Sequence, residues 1–412
     1  MFYLLLGIVI FDFVLSRTLS ILNAGWESKP VPPELADIYD EEKRKKQLEF
    51  NRASRRFSWI SNSFDLLVTI VMLFGGYRIL DEYIHLWFYY APVDSPILRD
   101  TLMAIMFFLT LSIASSIINI PFSVYRTFVL MQRFGFNRTT PATFIFDWLK
   151  SNALNILLTS IILFAVVPIY DTMPDYFWLL AWGVMSAFSL FMTYFYSNLI
   201  VPLFNKQTPL PEGELRDAIE KLATSVDFKL DNIYVMDSSK RSTLGNAYFT
   251  GFGRRKRIVL YDTLIEQLTT DEILAVLAHE IGHYKGHHTI KGMITSLSTS
   301  LVMFVLLGLT LRYNLCAGAI GCVASFHINM YLFYTLYDPI DTIISLFSNA
   351  TSRRHEFEAD NFTQKCNLAP YQISALKKLS AHALSNPTPH PLFVFFHYSH
   401  PTLLDRIINL QR

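Results

Sequence analysis

The chain has 412 residues, of which 52% are hydrophobic and only 17% charged, with a formal net charge of +1. That balance, with a mean hydropathy of +0.31, excludes an ordinary soluble domain and predicts no nucleic-acid partner. Three cysteines exclude a disulfide scaffold.

Taken in order, the apolar residues fall into seven runs, at about 2–22, 58–80, 99–118, 152–170, 176–199, 291–312 and 323–347. Crossing a bilayer takes about 20 residues; one such run is often a buried core helix, but seven in one chain predict membrane spans. The first opens Met1-Phe2-Tyr3 without a basic leader or a small-x-small cleavage site, so it reads as a retained span. Lysine and arginine then set the orientation. The connection from span one to span two carries Lys29, Lys43, Arg44, Lys45, Lys46, Arg52, Arg55 and Arg56, and that from three to four carries Arg126, Arg133, Arg138 and Lys150. The intervening connections hold Arg99, none, and Arg312. The N-terminus is therefore predicted lumenal, with segment 200–290 and the C-terminus cytosolic. The sequons at Asn137, Asn349 and Asn361 then lie on the cytosolic side and should be unmodified. Cys316 and Cys322 face the lumen and offer a disulfide there, with small residues in a loop as the plainer account.

Between spans one and two, Pro30-Val31-Pro32-Pro33 precedes a mixed-charge stretch, Asp37 to Arg56, that reads as a solvated helix. Asp65, Asn152, Asn155, Asn198 and Asp341 lie in or near spans and point to a polar interior, because such groups are costly against lipid. After span five the composition becomes that of a small soluble domain. Glu212 to Phe228 carries Leu215, Ile219, Leu222 and Val226 at helical spacing. Asn232 to Asp237, Ala247 to Phe252 and Arg257 to Tyr261 have strand composition, the second ending at a turn with Gly251 and Gly253. An edge strand there would suit pairing with a substrate backbone; an ordinary small sheet is the competing reading.

The motif that carries chemistry is His279-Glu280-Ile281-Gly282-His283. Residues four apart share one helix face, so the two imidazoles can meet one zinc ion with Glu280 beside it. With 11 His and 14 Glu in 412 residues, random placement yields about 0.01 such motifs. The surroundings predict a helix: Thr269 and Glu272 form a capping box, Asp271 and Glu272 suit its N-terminal dipole, and no proline interrupts Thr269 to His288. This helix runs almost directly into span six, which places the site at the membrane boundary, where it must supply its own water-filled cavity. A catalytic zinc takes three protein ligands. Gly286 fits the extended motif with a third histidine, but Thr289 occupies that histidine's place. Ser352 to Asp360 after span seven offers Glu356, with Asp360 one turn on as an outer-shell acceptor. His355 and Glu358 point about 100° and 200° away from it, and helical geometry leaves all three candidates open.

At this point the chain resembles the zinc CAAX prenyl proteases, the membrane family that matures yeast mating a-factor and prelamin A. Beyond His279-Glu280-x-x-His283 and Glu356-x-x-x-Asp360, the likeness covers Val31-Pro32-Pro33-Glu34-Leu35, Thr127-Phe128-Val129, Gly135-Phe136-Asn137, Pro202-Leu203-Phe204, Thr208 to Gly213, Lys240-Arg241-Ser242, Asn246-Ala247-Tyr248-Phe249, Arg257 to Leu260 and His397-Tyr398-Ser399-His400-Pro401. The resemblance implies an all-α polytopic membrane protein, seven transmembrane helices enclosing a water-filled chamber, with a small α+β cytosolic zinc-metalloprotease domain. It implies five spans in 1–199, the catalytic domain in 200–290, two spans in 291–347 and a helical remainder of the catalytic domain in 348–412. It assigns one zinc per chain to His279, His283 and Glu356, catalysis to Glu280 with His400 and Arg406 near the metal, support to Asp360, and substrate backbone binding to Asn246, Ala247 and Tyr248. The implied substrates are prenylated proteins ending in Cys-a-a-X, which lose their last three residues, with a second upstream cleavage in some; the implied location is the endoplasmic reticulum or inner nuclear membrane. One departure is the short connection from Tyr261 to Thr269, where some relatives carry a long charged insertion. The competing expectations are a broader quality-control protease using the same site and a non-catalytic membrane scaffold.

Overall fold

The computed structural model describes residues 1–230, 232–250 and 257–412. Five long helices come first: α1 (Phe2–Trp26), α2 (Glu41–Tyr90), α3 (Pro96–Ile118), α4 (Pro141–Thr172) and α5 (Phe177–Phe204). After a small sheet domain containing α6 (Glu214–Ser225) and α7 (Thr270–Lys285), the chain continues through α8 (His288–Arg312) and α9 (Phe326–Lys365) to α10 (Ala369–His382), α11 (Pro391–His397) and α12 (Leu403–Leu410). Among the described residues, α1 to α5 and α8 are the six helices long and apolar enough to cross a membrane. The seventh apolar run is the first part of α9, whose 40 residues become polar toward Lys365.

Local chemistry explains the helix starts. Asp40, Ser95 and Thr140 each accept a backbone N–H two or three residues into α2, α3 and α4, and Pro96 and Pro141 sit where a missing N–H costs nothing. The mixed-charge stretch is helical as predicted, but it is no separate element: α2 runs unbroken from it into span two, bending at a π-turn over Met72–Gly76. The helices pack through two clusters. Leu163, Val167, Phe177, Phe304, Leu307 and Phe333 join α4, α5, α8 and α9, and Leu5, Ile84, Phe107, Ile328 and Leu332 join α1, α2, α3 and α9. Large apolar side chains such as Phe11, Phe74, Trp87, Leu157 and Ile294 remain exposed on the outside of the bundle, a surface suited to lipid.

The sheet has the order β1-β2-β4-β3. β1 (Gln207–Pro209) is antiparallel to β2 (Asn232–Met236), β2 is parallel to β4 (Arg257–Tyr261), and β3 (Ala247–Thr250) is antiparallel to β4 with Tyr248 opposite Val259. The expected β3 turn at Gly251 and Gly253 lies outside the described residues. β1 was not anticipated, because its proline argues against a strand; it is tolerated at a sheet edge. Ile273 and Leu277 of α7 pack on Ile258, Leu260 and Ala247, which seats the motif helix on the sheet. The Arg241 guanidinium donates to both Asp147 oxygens, at 2.7 and 2.8 Å, and Arg257 donates to Asn198 at 2.7 Å, docking this domain on α4 and α5.

The disulfide that Cys316 and Cys322 offered is not made, and the plainer account holds. Cys316 is fully buried in the cluster of α1, α2, α3 and α9, and both thiols are free. Burial pushes Cys316 up to about 11 and Cys322 up to about 12, so neither is a ready thiolate.

Candidate metal centre

The capping box starts α7 as predicted: Glu272 N donates to Thr269 Oγ1 at 3.4 Å, and Thr269 N to Glu272 Oε2 at 2.8 Å. Glu272 also accepts from Ser374 Oγ at 2.6 Å and Lys378 Nζ at 2.7 Å, tying α7 to α10. The helix then crosses α9 so closely that a Cβ on Gly282 would lie 2.9 Å from Ala359 Cα and 3.0 Å from its carbonyl oxygen. Only glycine allows this approach, and the approach brings Glu356 to the two histidines.

The result is a compact triad. His279 Nε2 and His283 Nε2 are 3.2 Å apart, Glu356 Oε2 is 3.4 Å from the first, and Glu356 Oε1 is 3.2 Å from the second. Tetrahedral ligands about 2.0–2.1 Å from a zinc ion stand about 3.3–3.4 Å apart, so the donor set and its spacing fit that metal. Around it, His279 Nδ1 donates to Asp360 Oδ1 at 2.9 Å. Arg406 clamps Asp360 with Nη2 at 2.6 Å and Nε at 2.9 Å, and its Nη1 lies 3.4 Å from Glu356. Arg406 is positioned by α12, whose Ile407 is fully buried against Leu35 and Tyr39; this explains why the Val31 to Leu35 segment belongs to the site. His400 reaches to 3.4 Å from Glu356 Oε1 while its side chain stays 64% exposed. Asn246 is exposed, and its side chain accepts from Ala247 N at 2.8 Å.

Burial alone would raise Glu356, but hydrogen bonds from His279 and His283 and the charge of Arg406 hold its carboxyl well below the usual carboxylate range. Among the described residues Glu280 has no such donors, and burial pushes its carboxyl up. It lines a cavity of about 1280 Å³ together with His283, Tyr248, Phe249 and Tyr284. That cavity continues along Thr295, Ser296 and Thr299 of α8 and Asp341, Ser345 and Ser348 of α9; of the five in-span polar residues singled out in the sequence, Asp341 lines it and Asp65, Asn152, Asn155 and Asn198 do not.

Residues 20–206 match the family model for the CAAX prenyl protease N-terminal region with five membrane helices, and residues 209–412 match that for peptidase family M48. The chain belongs to peptidase family M48. This M48 peptidase is 36% identical to the rice CAAX prenyl protease 1 homolog over 92% of its own length and 90% of the relative's. It is 33% identical to the human homolog and 34% identical to CAAX prenyl protease 1 of Saccharomyces cerevisiae, each over 92% of this chain and 88% of the relative. The crystal structure of S. mikatae Ste24p superposes with a TM-score of 0.90 at 32% identity, covering 99% of this chain and 98% of that one.

The M48 peptidase site contains one group that sequence reasoning passed over. His288 is buried, its Nδ1 lies 3.0 Å from His283 Nδ1, its Nε2 lies 3.0 Å from Glu358 Oε2, and its ring stacks on His355 at 4.0 Å. The rivals for the third ligand, His355 and Glu358, thus face His288 while Glu356 alone of the three faces the histidine pair. The left-handed backbone of His287, φ +55°, breaks α7 from α8 and folds His288 back. Gly286 leaves room for it, since a Cβ there would meet the His288 ring at 2.3 Å. No periodicity shows this, because five residues along an unbroken helix would point His288 elsewhere.

Proposed function

We propose that this M48 peptidase is an integral-membrane zinc metalloendopeptidase that removes the last three residues from prenylated proteins ending in Cys-a-a-X. The observation that carries the reading is the evenly spaced His279, His283 and Glu356 triad at the head of a cavity bounded by membrane helices. The names of the relatives supply the substrate class. The organisation is five spans in 1–199, a cytosolic catalytic domain in 200–290, spans in 291–347 and a helical remainder in 348–412, with seven helices enclosing a water-filled chamber. The N-terminus is lumenal, in the endoplasmic reticulum membrane or its inner nuclear continuation.

One zinc ion, when bound by His279, His283 and Glu356, supplies Lewis-acid polarisation and an acidified water. Glu280 takes the proton from the attacking water and passes it to the leaving amine, a contribution of about 10²–10⁴. Asp360, held by Arg406, fixes the ring and tautomer of His279. His400, exposed beside Glu356, donates to the developing oxyanion. The outer edge of β3, at Asn246, Ala247 and Tyr248, pairs with the substrate backbone. A second cavity of about 440 Å³, with a largely apolar lining including Phe108, Leu163, Met303 and Phe304, shares Ser296 with the first and suits an isoprenoid chain.

The size of the larger cavity, about 1280 Å³, and the polar side chains Thr295, Ser296, Thr299 and Asp341 among its lining favour a second reading, a broader quality-control peptidase that also takes chains without a prenyl group. Mass spectrometry of a farnesylated Cys-a-a-X peptide and its unprenylated twin, incubated with purified protein with and without chelator, separates the two. Release of the terminal tripeptide only from the farnesylated form supports the proposal. Turnover that survives both chelation and Glu280→Gln overturns it.

A further inference from the structure

The catalytic triad follows a plan that recurs at the other end of α9. There an acceptor and a histidine four residues apart on α2, Asp81 and His85, meet His327, the second residue of α9. At the catalytic end a histidine pair four apart on α7 meets Glu356 of the same long helix. His327 and Glu356 are 356 − 327 = 29 residues apart on α9, about 40–45 Å at about 1.5 Å per residue. That span is close to the thickness of a bilayer with its headgroups, about 40–45 Å, so the two clusters sit at opposite faces.

We propose that Asp81, His85 and His327 form a second metal site, for Zn²⁺ or a related late first-row divalent cation. Asp81 Oδ1 lies 2.7 Å from His327 Nε2 and 3.5 Å from His85 Nε2, and one donor atom from each residue falls within 4.8 Å of the others. Two imidazoles and a carboxylate are the donors that zinc and its neighbours take, whereas Mg²⁺ and Ca²⁺ require oxygen. Two observations argue that the triad is more than a hydrogen-bonded pair. Asp81 and His327 are each only 2% exposed, and among the described residues no lysine or arginine pairs with Asp81; its charge meets imidazoles alone. His85 Nε2 is itself buried and makes no hydrogen bond, although it faces the carboxylate. A cation answers both, giving the carboxylate a permanent counter-charge and the orphaned nitrogen a bond.

The site is also preorganised and reachable. Asn329 Oδ1 accepts from the N–H groups of Cys316 and Ala317 at 3.3 and 3.0 Å, which pins the start of α9, and the Phe107 ring packs 4.8 Å from His327. The His85 side chain is 40% exposed although its Nε2 is covered, so solvent reaches the rim of the cluster on that side. Binding displaces the hydrogen now held between His327 Nε2 and Asp81 Oδ1 and ties the second half of α2 to α9, independently of the catalytic centre.

The test uses untagged full-length protein, stripped with chelator, in wild-type form and with His283→Ala and Glu356→Gln together. After incubation with ZnCl₂ and gel filtration, retained zinc is measured by mass spectrometry and thermal stability by the melting transition. The expected result is two zinc ions per wild-type chain and one in the double variant, whose Tm rises with zinc but not with MgCl₂. Adding His85→Ala, at a partly exposed position, or Asp81→Asn to that double variant should weaken zinc binding by more than about a hundredfold, beyond the roughly 10–100-fold loss of an outer-shell partner, and abolish the zinc-dependent rise in Tm. One zinc in the wild type and none in a double variant that still melts cooperatively would overturn the proposal. Retention unchanged by both His85→Ala and Asp81→Asn would do so too.

Discussion

The two ends of α9 teach different things with the same donor types. At Glu356 the closest approaches are alike, 3.2 to 3.4 Å, each histidine meeting a different oxygen of Glu356, and both histidines are braced from behind: His279 by Asp360 and Arg406, His283 by His288, which Glu358 holds in turn. At His327 the spacings are uneven, 2.7 and 3.5 Å, and among the described residues no hydrogen bond braces His85. Reactivity needs the first arrangement, because a catalytic metal must be held in place without the chain relaxing around each turnover.

The sharpest way to break the comparison is Glu280→Gln. It should lower peptide hydrolysis by about 10²–10⁴ with zinc retained at the Glu356 end, as read by turnover and metal content together; no change at the His327 end should alter turnover so deeply. Next is His288→Ala, which removes the brace behind His283 and should weaken zinc binding about 10–100-fold, measured by competition with a chromophoric chelator. Gly282→Ala forces α7 from α9 and should cost about 1–3 kcal/mol by overpacking. The same change at Gly318, which has nothing within 4 Å of a new Cβ near the His327 end, should leave the melting transition in place.

The smallest expected effect is at Glu272, two turns before His279 on α7 and outside either triad. Its hydrogen bonds from Lys378, Ser374 and Thr269 outweigh the upward push of burial and hold its carboxyl below the ordinary 4.5. A depressed carboxylate contributes stability above its unfolded value and loses it as the pH falls through the folded one. Glu272→Gln should therefore destabilise by about 1–2 kcal/mol near neutral pH, and the gap to wild type should close on acidification below 4.5. A gap that widens in acid would remove the capping account.

Much of the site was legible because its signals are local. Thr269 and Glu272 announce the start of α7 three residues apart, the His279 and His283 pair shows its face by spacing, and β2 and β4 announce themselves by β-branched runs. The long-range choices were not. Helix phase left His355, Glu356 and Glu358 equal as third ligands, and the contact of Gly282 with Ala359 decided among them. The same holds for Cys316, where lumenal spacing offered a bridge and packing against α1, α2, α3 and α9 buried a free thiol.

By itself the sequence determined that this chain crosses a membrane several times, that one helix presents a paired-histidine motif, and that a small sheet domain follows the fifth span. These depend on hydrophobic run length, capping and side-chain period, each written within a few tens of residues. Only the tertiary structure decided which carboxylate meets the histidines, that His288 turns back to support one of them, and that α9 carries a cluster of metal donors at each end. Such contacts join residues as much as 246 positions apart. Their geometry comes from how helices cross and how closely a glycine lets them approach, and no local pattern records it.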